Sequence, residues 1–201
     1  MCSPHTELAV QAGSGEGVAA SSPEPMTLEQ LEKCLPIQIK ELGEDHPDVA
    51  TTYSNIGIAY HKQGKHEIAL VQLEKCFAIQ IKTLGEDHLD VANTHLNIGN
   101  VYFDQRMFKL AVEHCEKRLA IQIKVLRTDH MHVGDTKMKL GKLLVILTFS
   151  VNPVNHKRAG VLYRESAAIY RKVHGPKHKT TLDAIGLAEV SEKIAGMSFY
   201  T

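Results

Sequence analysis

At 201 residues, 43% of them hydrophobic and 23% charged, the chain has room for one folded unit with a modest core and little for a second independent domain. Lys+Arg and Asp+Glu both number 23, which removes the bulk positive field that draws in nucleic acid or anionic lipid. No apolar stretch reaches the roughly 20 residues of a membrane span, and Met1-Cys2-Ser3-Pro4-His5 has neither the basic nor the apolar region of a secretory signal, so membrane insertion is excluded and the expected compartment is the cytoplasm. Four cysteines, none in a CxxC pair, fit reduced thiols used as small apolar side chains.

Residues 1–25 mix Gly, Ser, Pro and Ala with three glutamates and no Lys or Arg, the composition of a mildly acidic, disordered tail. From there the chain repeats itself. Leu31-Glu32-Lys33-Cys34 returns 42 residues later as Leu73-Glu74-Lys75-Cys76, and Glu116-Lys117 keeps the phase. The same step carries Ile37-Gln38-Ile39-Lys40 to Ile79-Gln80-Ile81-Lys82 and Ile121-Gln122-Ile123-Lys124, and Gly43-Glu44-Asp45-His46 to Gly85-Glu86-Asp87-His88. The order is a partial repeat 27–46, repeats 47–88 and 89–130, a divergent repeat 131–178, and a terminal helix 179–196. The divergent repeat falls into phase only if six residues are inserted, and the proline and asparagines near 149–156 place a loop there.

Each unit predicts two helices. In the first full repeat Pro47 suits the first helical position, Asp48 the positive first turn, and Val49, Tyr53, Ile56, Gly57 and Tyr60 follow at helical spacing to form helix A. Gln63-Gly64-Lys65 breaks it. Helix B then runs from about His66 to Leu84 and ends at Gly85, a residue suited to a left-handed C-terminal position. Gly57, Gly99 and Gly141 each cost helix A about 1 kcal/mol against alanine, which close approach of a neighbouring helix offsets. In the partial repeat Pro36 predicts a helix B that is kinked, or regular only after Leu35. The apolar run Leu143-Leu144-Val145-Ile146-Leu147 needs cover, from the inserted loop or from another chain. Neither helix of a pair can bury its stripe alone, so the pairs stack into an all-α superhelix with a continuous core and a groove on its concave side.

The pattern Asn55-Ile56-Gly57-Ile58-Ala59-Tyr60, Gly64-Lys65 and Ala69-Leu70 resembles the tetratricopeptide repeat consensus, and the linker from Leu42 to Ala50 with its 42-residue period is similar to the kinesin light chain and nephrocystin-3 branch. The resemblance covers roughly residues 27–195. It departs in the third repeat, where Lys142-Leu143-Leu144 follows Gly141, and in the fourth, where Glu189 stands in the glycine register. It implies a right-handed solenoid that scaffolds protein partners, holding one peptide along the inner face of the A helices.

On that face, helix A as set by Gly57 and Gly99 brings Ser54, Asn55, Ile58, His61 and Lys62, then Leu96, Asn97, Asn100, Phe103 and Asp104. Asparagine amides turned into a groove can hold a peptide backbone whatever its side chains, or can instead bond the neighbouring turn. Lys62, Lys139 and Lys142 favour an acidic ligand. A chaperone-type carboxylate clamp is disfavoured because Leu96 stands where its first lysine belongs. The Asp-His pairs 45/46, 87/88 and 129/130 recur once per repeat and so do not converge as metal ligands must; they mark a turn and a helix start. With no phosphate loop, nucleophile elbow or HExxH, no catalytic residue, metal or cofactor is expected. The competing readings are a structural, self-associating piece of a longer array and, from another class, a histidine-dependent metal protein or enzyme.

Overall fold

The computed structural model describes residues 26–147 and 153–196. They form eight helices and no strand: α1 (Leu28–Leu42), α2 (Pro47–Lys62), α3 (His66–Leu84), α4 (Leu89–Asp104), α5 (Phe108–Leu126), α6 (Met131–Leu147), α7 (Pro153–His174) and α8 (Lys179–Gly196). The even-numbered helices are A-type and the odd-numbered B-type; each packs on the helix before and after it, and α2 also touches α4. The expected tail at 1–25 and half of the expected loop, 149–152, lie outside the described residues.

Local chemistry sets the boundaries. Thr27 and Gln30 close a capping box at the start of α1. At α2, α4, α6 and α8 the cap is an imidazole: Nδ1 of His46, His88, His130 and His178 accepts the backbone N–H two residues on, at 3.1, 3.1, 3.2 and 3.3 Å. The recurring Asp-His pairs are thus helix starts, and no group of three or more metal-ligating side chains occurs among the described residues. Gly43, Gly85 and Gly175 end α1, α3 and α7 at φ of 91°, 82° and 91°. Arg127 adopts the same conformation (φ 76°, ψ 153°) at the end of α5, in a region that costs a side chain about 1–3 kcal/mol.

Two local expectations are corrected. α1 does not begin only after Leu35 but is helical from Leu28 through Pro36 to Leu42, because Pro36 and Glu32 are exposed and the carbonyl left without its N–H faces water. The loop expected across 149–156 does not reach that far, since Pro153 opens α7 at a first-turn position that suits proline and His156 is buried. α7 is consequently 22 residues long where α3 and α5 have 19. It also answers much of the apolar run on α6: Leu143 and Leu144 are buried against Ala159, Leu162 and Tyr163 of α7 and Ala188 of α8, so helices cover these two, while Ile146 stays 37% exposed.

The core repeats with the sequence. In both full repeats and the divergent one a small residue of the A helix meets an isoleucine of the B helix: Ala50 with Ile79, Ala92 with Ile121, and Gly134 with Ile169, where an added Cβ would lie 3.2 Å from Cγ2. Ile37 of α1 holds the same register with no A helix over it among the described residues; it is 49% exposed, against 8%, 9% and 5% for Ile79, Ile121 and Ile169. On α8 the small register carries Leu182, which is 54% exposed. Successive repeats are further tied by buried polar bonds: Thr52 donates to Gln38 and Thr94 to Gln80, both at 2.7 Å, and Gln122, with its amide oxygen facing Arg118, donates to Thr136 at 2.7 Å. Lys82 and Lys124 pair with Asp45 and Asp87 of the preceding linkers.

The three helix-A glycines are not equivalent. A Cβ at Gly57 would lie 2.8 Å from Leu73 Cγ and 3.2 Å from the Ala69 carbonyl oxygen, and at Gly141 2.6 Å from Tyr163 Cε1, whereas at Gly99 the nearest atom, His114 Cβ, is 3.4 Å away. Gly57→Ala is expected to destabilise the fold by about 1–2 kcal/mol, overpacking outweighing helix propensity. Gly99→Ala, which meets no such contact, is expected to be neutral or to stabilise by up to about 1 kcal/mol. Urea denaturation midpoints followed by circular dichroism check the ordering.

Candidate functional site

Stacking the A helices at a fixed step lines up equal registers along one face. Asn55, Asn97 and Lys139 form one such row, on α2, α4 and α6. Asn55, Asn97 and Asn93 line a hollow of about 250 Å³ between α2 and α4, closed at one end by Gln80, Thr83 and Leu84 of α3. Asn55 also borders, with Ile58 and Lys62, a second hollow of about 320 Å³ beside Met26 and Leu31. Neither Asn55 nor Asn97 makes a hydrogen bond among the described residues, so their amides do not bond the neighbouring turn; both side chains have donors and acceptors to spend.

The remaining predicted residues divide. His61 and Asp104 bond each other across α2 and α4, Nε2 to Oδ2 at 2.6 Å, and Lys139 donates to the amide oxygen of Asn100 across α4 and α6. These two bonds fasten neighbouring A helices. Ser54 lines the first hollow but also bonds Cys76. Phe103 rests on Phe108, ring centroids 5.7 Å apart, and Leu96 is half-buried between α4 and α5. Lys62 and Lys142 are exposed and take no part in an ion pair among the described residues.

One member of this region went unnoticed in the sequence. Arg118, on α5, lies in the same crevice as Lys139, beside Leu96 and Gly99. Burial lowers the pKa of both cations, and neither has a carboxylate within ion-pair distance among the described residues. Arg118 is held by the Gln122 amide at 3.1 Å and 3.2 Å. Two partly desolvated, unneutralised cations side by side favour an arriving anion. The period carried the signal: Arg118 occupies the register of Cys34 and Cys76, where an apolar side chain packs.

A second polar feature borders this crevice through His95 and lies largely buried between α4 and α5. His95 and His114 face each other Nδ1 to Nδ1 at 3.2 Å, one tautomer donating to the other, with the Phe77 ring 5.1 Å from His95 and the Tyr102 ring 5.5 Å from His114. Burial, then the neighbouring His114 and Lys117 charges, brings the His95 pKa down to about 4; burial, then Lys117, lowers that of His114, which Glu113 opposes.

These findings, taken with comparisons to known proteins, assign the class. A tetratricopeptide repeat family model matches residues 26–82. No match is found among curated proteins. Among solved structures, a Podosopora anserina putative kinesin light chain with nearly identical TPR-like repeats is similar at a TM-score of 0.68, with 25% identity over 84% of this chain and 77% of that one; a point variant of it gives the same values. BtubC (BKLC) from P. vanneervenii shares the fold at a TM-score of 0.56, with 18% identity over 86% of this chain and 74% of that one. The chain is therefore an all-α helical repeat protein whose fold is similar to that of tetratricopeptide-like solenoids, with the tetratricopeptide repeat model matching its residues 26–82. Its 42-residue repeats are similar to those of the kinesin light chain-like structures. No helix among the described residues is long and apolar enough to cross a membrane.

The buried imidazoles make stability depend on pH. Burial holds folded His95 neutral while unfolded histidine takes up protons below about pH 6.5, so its contribution is whole above that value and is lost as pH falls from there toward about 4; the lowered His114 acts in the same direction. Between pH 7.5 and 5 His95 is expected to account for a loss on the order of 1–2 kcal/mol, and His114 for a further loss of the same sign. Placing the residues of Tyr53 and Gln72, which hold these registers one repeat earlier, at both sites (His95→Tyr/His114→Gln) is expected to shrink the fall over that interval, as urea midpoints at the two pH values will show.

Proposed function

We propose that the chain is a non-catalytic cytosolic scaffold that holds an extended peptide segment of a partner protein along the A-helix face of α2, α4 and α6. The observation that supports this is the Asn55, Asn97, Lys139 row: two amides with unspent hydrogen-bonding groups, one repeat apart beside a hollow, followed in register by a cation. Amides so placed bond a peptide backbone without regard to sequence, and Lys139 with Arg118 selects an acidic side chain further along it. The similar kinesin light chain repeats are in keeping with a protein-interaction role.

Affinity capture from cytosol on the full chain, compared with Asn55→Ala/Asn97→Ala of equal helicity, tests the reading. Partners recovered by the parent are expected to be lost or to bind about tenfold more weakly to the double variant, and equal recovery by both rules out groove binding.

A second reading has its own support. The exposed Ile37 register on α1 is the surface that an A helix covers in the three later repeats, so the chain also suits a longer array or self-association through that face. On this reading the mass in light scattering rises with concentration, and Ile37→Lys abolishes the rise; a monomer throughout the range excludes self-association.

A further inference from the structure

The register of Tyr53, His95 and Lys137 lies where each A helix faces the B helices on either side of it, on the flank away from the asparagine row, and the three repeats fill the space differently. In the first, Tyr53 packs against the core of Val49, Ala50, Cys76 and Ile79, which Leu35 and Ile39 also join, with Lys75 Nζ 5.2 Å from the ring centroid. In the third, the buried Lys137 reaches across to Glu165 at 2.8 Å. In the second, His95 is drawn inward to His114 and is only 7% exposed. What is left is a hollow of about 400 Å³ walled by Phe77, Ile81, Val91, Ala120 and Ile121, with His95 lining it and Lys117, Glu86 and Asp87 also around it. Lys117 holds the register of Lys75, and the walls hold those of Leu35, Ile39, Val49, Ala78 and Ile79.

The first repeat therefore displays what such a space accommodates: a phenol ring beneath a lysine. We propose that the hollow of the second repeat receives a tyrosine side chain from a partner protein, inserted from outside with its ring under Lys117 and its hydroxyl directed inward to His95. Lys117 borders the hollow and pairs with Glu113 at 2.9 Å; turned over an inserted ring, as Lys75 is over Tyr53, it favours an aromatic group above an aliphatic side chain. His95 spends Nδ1 on His114, and its Nε2 has no hydrogen-bond partner among the described residues, so a hydroxyl satisfies a group that phenylalanine or leucine leaves unpaired. The hollow and the asparagine row use different residues of α4, Val91 and His95 against Asn93 and Asn97, and His95 also borders the Arg118–Lys139 crevice.

The test uses p-cresol, the tyrosine side chain alone, titrated into the full chain while the imidazole proton signals of His95 and His114 are followed by NMR. A saturable shift of both is expected, with a dissociation constant in the millimolar range appropriate to so small a ligand. Toluene, which lacks the hydroxyl, is expected to bind about tenfold more weakly. His95→Tyr, which fills the hollow from within as Tyr53 does, is expected to abolish the shift at His114. Ala120→Leu, at an exposed position on α5, narrows the opening without touching the histidines and serves the same purpose should the first variant fold poorly. Asn55→Ala/Asn97→Ala is expected to leave the titration unchanged. The proposal is overturned by absence of saturation, by equal binding of toluene and p-cresol, or by undiminished binding to the folded plugged variants.

Discussion

Every helix in this chain carries an apolar stripe that only its neighbours in the stack can cover, and the cover works at one separation. A small residue on the A helix must face a branched one on the B helix, as Ala50 faces Ile79 and Ala92 faces Ile121. That single steric requirement, renewed every 42 residues, fixes the spacing between helices and with it which side chains come to share a row. The buried Gln–Thr bonds and the lysine–aspartate pairs follow the same step, so polar and apolar contacts agree on one register.

Binding capacity arises as a by-product of that repetition. A helix A side chain not needed for the seam points where its equivalents in the next repeats also point, and a row of like residues results. Where the row is kept, as at Asn55 and Asn97, the surface is uniform along its length and indifferent to sequence; where it changes, as at Lys139, it acquires a preference. Variation at one register on the other flank of α4 has the analogous effect. Tyr53 and Lys137 fill their spaces, and His95, turned toward His114, leaves one open.

The fold was legible because its signals are periodic: the glycine breaks, the Asp-His helix starts and the isoleucine phase all recur, so each copy supports the reading of the others. The candidate surface was legible only in outline. Asn55 and Asn97 were found from the helix phase alone, but nothing in a one-dimensional pattern shows that His61 is spent on Asp104, or Lys139 on Asn100, since those partners are 43 and 39 residues away. The His95 to His114 contact escaped notice for the same reason: each has a different residue type in the equivalent positions, so no repeat announces it. Pro36 and the 149–156 segment misled because proline signals a break in general, while an exposed helix flank and a helix's first turn both tolerate it.

The register that must be small carries Leu182 on α8, and the register of the close-packed glycines carries Glu189, both exposed. A B-type helix brought up to α8 at the separation used elsewhere would strike a bulky side chain at one point and strand a carboxylate at another. α1, by contrast, keeps its isoleucine in register. The stack is thus polar in the sense that a ratchet is: its geometry admits another unit of its own kind against α1 and refuses one against α8.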